Sequence, residues 1–134
     1  MTNCPSVARG PVRAAPALFA RARAVLAEAG AASTAPERFR LAHLAALRTA
    51  AVVLAARGRP SSSRRRLISA WVLLESVAPE YGTWAVYFAA SAATRSAVEA
   101  GALSAVTPRM ADDQLRAAEE FLGHVETEMG LLAA

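Results

Sequence analysis

From Pro16 onward, apolar residues recur at helical spacing. Leu18, Phe19, Ala22, Val25, Leu26 and Ala29 form one stripe, and Gly30 stands where a C-terminal cap is expected. Upstream, Pro5, Gly10 and Pro11 interrupt any pattern, so residues 1–15 are expected to form a flexible arm. Thr34-Ala35-Pro36-Glu37 announces a second helix. There Thr34 can accept a free N–H, Glu37 can reach back to it, and a first-turn proline costs little. The stripe of that helix is Phe39, Ala42, His43, Ala46, Leu47, Ala50, Val53 and Leu54, and Arg57 and Gly58 end it. A third helix puts Leu67, Ala70, Trp71, Leu74 and Ala78 on one face until Pro79 stops or kinks it. The fourth, roughly residues 80–100, is apolar nearly all round. Trp84, Tyr87, Phe88 and Ser91 lie on one side of it, and Val86, Ala90, Ala93 and Ala97 on the other. Such a helix is either central to a bundle or shared with a partner. Gly101 closes it. Thr107-Pro108 opens a fifth helix, whose Ala111, Leu115, Ala118, Leu122, Val125 and Met129 alternate steps of four and three. These elements predict an all-α fold, a single five-helix, mostly up-and-down bundle over residues 16–130.

Composition agrees with that class. The 134 residues suffice for one domain with a real core, 54% are apolar, and 35 are alanine. So much alanine with few β-branched residues argues against a sandwich or barrel. All fifteen basic residues are arginine, a bias that GC-rich codons produce without selection for a ligand, so the basic pI alone does not point to nucleic acid. The distribution says more. Residues 1–66 hold twelve arginines against Glu28 and Glu37, whereas residues 67–134 hold three against nine acids. Either a basic face is offered to phosphates, or the two halves face and neutralise each other within one chain or across a dimer. The lone cysteine, Cys4, excludes an intrachain disulfide and a cysteine-based metal cluster. The N-terminus has no continuous apolar signal region, and the longest uncharged run, Tyr81 to Thr94, has 14 residues. A cytoplasmic protein without a membrane partner is expected.

Few residues carry candidate chemistry. The chain has no glycine-rich phosphate loop, HExxH or GxSxG motif, and its two histidines, His43 and His124, cannot build a metal site alone. Neither metal nor cofactor is therefore expected. His43 sits mid-stripe where leucine would be the default, so it is either a core histidine bonded to a facing helix or a proton-transfer group. The second reading draws on Arg38 and Arg40: an arginine to hold a phosphate and a histidine to move a proton form a minimal metal-free recipe for RNA cleavage. Arg40 is a helical neighbour of His43, whereas Arg38 lies about 140° round the helix and would meet it only through its length or across a dimer. Arg95 falls among Tyr87, Phe88, Ser91 and Val98. It either pairs with an acid such as Glu99 or Glu119 against an aromatic ring, or lines an anion-binding cleft. The run Arg57–Arg66 holds five arginines, with Arg64, Arg65 and Arg66 consecutive, and suits phosphate contact without base readout or else a solvated loop.

The stretch RFRLAHLAALRTAAVVLAARG resembles the second helix of HEPN domains, with an aromatic followed four positions later by a histidine and a long apolar run. TPRMADDQLRAAEEFLGHVE is similar to the final HEPN helix, and SAWVLLESVAPEYGTWAVYFAASAATRSAVEAG between them resembles a compact, alanine-rich branch of that superfamily. The resemblance implies a four- or five-helix bundle, often dimeric, that works around nucleotides and RNA. Many HEPN proteins are metal-independent ribonucleases with an Arg-x(4–6)-His motif, and Arg38-x4-His43 has that spacing. The family motif, however, usually lies later in the bundle and follows its arginine with a polar residue, where this chain has Phe39. His43 is closer to the helix-two histidine that HEPN members keep whether or not they cleave. The expectation is a dimeric, RNA- or nucleotide-associated module without strong catalysis, with Arg40, Arg64, Arg65, Arg66 and Arg95 as binding residues. The alternatives are a ribonuclease using Arg38 and His43, or a protein-interaction module docking through the fourth helix.

Overall fold

A computed structural model describes residues 10–58 and 69–130. Five α-helices account for most of them: α1 Gly10–Ala31, α2 Ala35–Arg57, α3 Ala70–Val77, α4 Gly82–Glu99 and α5 Pro108–Glu128. Single 3₁₀ turns at Pro79–Tyr81 and Leu103–Ala105 join α3 to α4 and lead from α4 toward α5. The five-helix bundle is the architecture its sequence predicts. Two boundaries differ. α1 starts at Gly10 rather than Pro16, because Pro11 lies in the first turn, where no N–H is required, and the helix continues through Pro16. Gly30 lies inside α1 instead of capping it; the glycines with positive φ are Gly58, Gly101 and Gly130, and Gly58 caps α2.

Side chains cap three helix starts. Thr34, Ser69 and Thr107 accept hydrogen bonds from the backbone N–H groups of Glu37, Val72 and Met110. Glu37 does not complete a reciprocal capping box, because its carboxylate is taken by Arg40 at 2.6 Å.

The central helix is α2, not the uniformly apolar α4. It packs against each of the other four. Its buried residues lie nearly all round: the expected Phe39, Ala42, His43, Ala46, Ala50, Val53 and Leu54, together with Leu41, Ala45, Thr49 and Val52. By length and composition α2 could cross a membrane, and its apolar window is mostly buried inside the bundle. α4 buries Ala85, Phe88 and Val98 but leaves Val86 58% exposed.

The core has two textures. Toward α1 most of the buried residues are small, Ala15, Ala22 and Ala29 around Phe19, in one cluster with Ala42, Ala46 and Ala50 of α2. Toward α3, α4 and α5 it is aromatic. Trp71 stacks on Phe88 at 5.1 Å and Trp84 on Phe121 at 5.6 Å, and Tyr81 meets Phe121 edge-on at 5.8 Å. Phe121 also shows that the α5 seam runs through Ala111, Gln114, Ala118, Phe121 and Val125, with Leu115 and Leu122 flanking it. A small second cluster, Phe39, Val98, Val106 and Ala111, closes the end of the bundle where α2 and α5 begin.

Because Phe121 touches the rings of α3, α4 and the turn between them, Phe121→Ala is expected to cost about 3–5 kcal/mol. Thr107→Ala is expected to cost about 1 kcal/mol. Urea unfolding followed by circular dichroism measures both, and equal small losses would contradict the aromatic core described.

Candidate functional site

His43 is sealed. It is 1% exposed, and its ring meets Trp71 and Phe88 edge-on at 5.7 and 5.9 Å. Nε2–H donates to the carbonyl of Phe88 at 3.1 Å, so α2 is tied to the backbone of α4. Nδ1 is buried and has no partner among the described residues. Burial pushes the imidazole down to about 4; the Phe88 carbonyl opposes this in part and the nearby Arg95 charge adds to it. The ring is therefore neutral near pH 7.

Arg38 turns away to other partners. Its guanidinium donates to the carbonyl of Ala32 at 2.7 Å and to Asp112 at 3.2 Å, fastening the end of α1 to the start of α5. Within one chain Arg38 thus fastens the end of α1 to the start of α5, while His43 is packed under aromatic rings.

Of Arg40 and Arg95, only Arg40 lines a cleft. Arg40 lines a cleft of about 770 Å³ between the start of α2 and the end of α4, together with Thr34, Glu37, Val98, Glu99 and Leu103. Arg95 reaches the same cleft through its partner, donating to Glu99 at 3.1 Å. Arg95 takes the acid expected from the sequence, without an aromatic ring beneath it, and its Nε is buried with no partner among the described residues. Each guanidinium is half-buried and held by one glutamate, and the hydrogen bond with Arg40 holds the Glu37 carboxyl below its usual range.

Arg64, Arg65 and Arg66 lie outside the described residues. Arg57, at the start of that basic run, is paired with Glu80 and donates to the carbonyl of Val77 at 3.3 Å. His124 is exposed, 4.9 Å from the Trp84 ring and 3.8 Å from Glu128. No group of three metal-ligating side chains converges among the described residues.

A second groove, between α4 and α5, has no counterpart in the sequence reading. Phe39, Tyr87, Ser91, Met110, Asp113 and Gln114 line much of its volume of about 340 Å³. Gln114 is fully buried. Its Nε2–H donates to Ser91 Oγ at 3.1 Å, and the Ser91 hydroxyl donates on to the carbonyl of Phe88, the same oxygen that His43 uses. The available signal was a glutamine three residues after Ala111 and four before Ala118, a seam position where an apolar residue is the default.

The family model described as SAV_6107-like HEPN matches residues 27–126, from the last turn and a half of α1 through most of α5, and the chain belongs to that family. No curated protein and no solved structure gives a significant match.

The His43 geometry fixes a pH dependence. The unfolded chain takes up a proton near pH 6.5 and the folded chain only near 4, so stability falls as pH drops between those values and the loss is complete below about 4. The size is about 3 kcal/mol. His43→Leu is expected to remove that part of the acid sensitivity, since Ser91 still donates to the Phe88 carbonyl. Unfolding free energies at pH 7, 5.5 and 4 for both proteins test this, and parallel curves would refute it.

Proposed function

We propose that this HEPN protein is a dimeric cytoplasmic module that associates with RNA or nucleotides and does not cleave them through Arg38 and His43. The observation that carries association is the cleft in which Arg40 opens beside the Arg95–Glu99 pair at the start of a 23-residue helix. The Arg40 guanidinium and the helix N-terminus favour a phosphate, and Glu37 and Glu99, which also line the cleft, moderate its affinity, which suits reversible binding. The absence of cleavage rests on His43: a general acid or base must come within roughly 2.6–3.2 Å of the transferred proton, directly or through one water. An imidazole 1% exposed beneath Trp71 and Phe88 offers no such approach.

The dimer draws support from the outer surfaces of α3 and α4. Val72 and Val86 are 57% and 58% exposed on these two adjacent helices, and the exposed Ala89 and Ala93 extend the apolar surface along α4. Covering such a surface with its copy across a two-fold axis is the commonest solution among homo-oligomers.

Fluorescence anisotropy with a short unstructured RNA is expected to show affinity falling steeply with salt, and Arg40→Gln and Arg95→Gln to flatten the slope by about one unit each. Arg64, Arg65 and Arg66 replaced together by serine test the basic run in the same assay. In EDTA the RNA is expected to stay intact with wild type. Cleavage by wild type and not by a folded His43→Ala protein would establish the ribonuclease reading instead. Light scattering at micromolar concentration is expected to give twice the 14.0 kDa chain mass and Val86→Glu to halve it. A monomeric wild type would remove the dimer, and salt-insensitive binding would remove the anion cleft.

A further inference from the structure

The groove between α4 and α5 differs in chemistry from the arginine-lined cleft. Phe39, Val86, Tyr87, Ala90 and Met110 give it apolar walls, and among the described residues no cationic side chain lines it. Its unsatisfied polar capacity consists of acceptors. Gln114 Oε1 is buried without a partner among the described residues, in a side chain whose other end is fixed by Ser91. Asp113 presents a carboxylate whose partners, Arg116 at 3.1 Å and Arg109 at 4.0 Å, are themselves largely exposed. Such pairs in high dielectric are worth little and exchange readily. Ser91 is already committed, accepting from Gln114 and donating to Phe88.

We propose that this groove binds a nucleobase, in particular a guanine-type edge that offers two adjacent N–H donors to Asp113 while its ring lies against Tyr87. The volume suits a single heterocycle, and a carboxylate accepts two parallel N–H bonds from such an edge. A phosphate is unsuited to this site, because it would face a carboxylate and no cation. Both the groove and the arginine cleft border the small Phe39–Val98–Val106–Ala111 cluster, through Phe39 and Met110 on one side and Val98 on the other. The inference deepens the RNA- or nucleotide-associated reading and rests on it for biological meaning, but the groove can be tested without any phosphate.

The experiment titrates the full-length protein with free nucleosides and follows backbone amide shifts by NMR. Guanosine is expected to shift Tyr87, Ser91, Asp113 and Gln114 and to bind about tenfold or more tightly than uridine, with adenosine and cytidine between. Asp113→Asn and Tyr87→Leu, both at exposed positions, are each expected to weaken guanosine by about tenfold. Arg40→Gln is expected to leave guanosine binding unchanged. Uridine binding as well as guanosine, or shifts centred on Arg40 and Glu99, would overturn the proposal. If no nucleoside binds while RNA still does, the groove inference fails and the anion-cleft reading stands; if neither binds, both fail.

Discussion

One neutral imidazole at the crossing of α2 and α4 sets the terms for the rest of the bundle. A carbonyl in the middle of a helix is already bonded along its own axis, and Phe88 O accepts His43 Nε2–H and the Ser91 hydroxyl as well. That shared oxygen joins the central helix to α4, and through Ser91 and Gln114 it extends to α5. The path holds three helices in register where the packing is otherwise aromatic and tolerant of sliding. Buried polar networks of this kind carry a large penalty when a member is lost, because the remaining groups stay out of water. Trp71 and Phe88 pack edge-on against the buried imidazole.

The uneven core explains where the surface opens. Small residues predominate between α1 and α2, whereas α4 and α5 are bridged by the rings of Trp84, Phe88 and Phe121. A groove lies along that bridged junction, beside Gln114. At the end of α4, the 3₁₀ turn Leu103–Ala105 leads the chain round toward α5, and the larger cleft forms there against the first turns of α2. Arginine is distributed by the same logic. Arg23, Arg38 and Arg57 of the first half pair with Glu126, Asp112 and Glu80 of the second, so the positive charge of the chain's first half is partly answered within the fold.

Helix count, the caps at Thr34 and Thr107, the stop at Pro79 and most of the α2 stripe were legible in the sequence, because each follows from local chemistry or a 3.6-residue period. The start of α1 was not, since Gly10 and Pro11 read as breakers although proline suits a first turn. Which helix is central was left open by the sequence: α4 is the more uniformly apolar helix, but burial depends on neighbours, and α2 packs against all four other helices. Arg38 and His43 were visible as a spacing, yet spacing along a helix does not say that Asp112 and the Ala32 carbonyl, distant in sequence or outside the helix, will capture the arginine. The groove at Gln114 could not be read at all, because it is made by two helices held apart by rings.

The chain belongs to the SAV_6107-like HEPN family, and its sequence carries an arginine and a histidine five residues apart, Arg38 and His43. Here the histidine serves the fold. The state of one ring therefore tests the account most directly. Long-range ¹H–¹⁵N spectra of the imidazole, recorded from pH 8 to pH 4, report tautomer and protonation together. The expected result is a neutral ring carrying its proton on Nε2 from pH 8 into the mildly acidic range, with half-protonation reached only at about 4. A His43 that titrates near 6.5 with both nitrogens exchanging freely with solvent would contradict it.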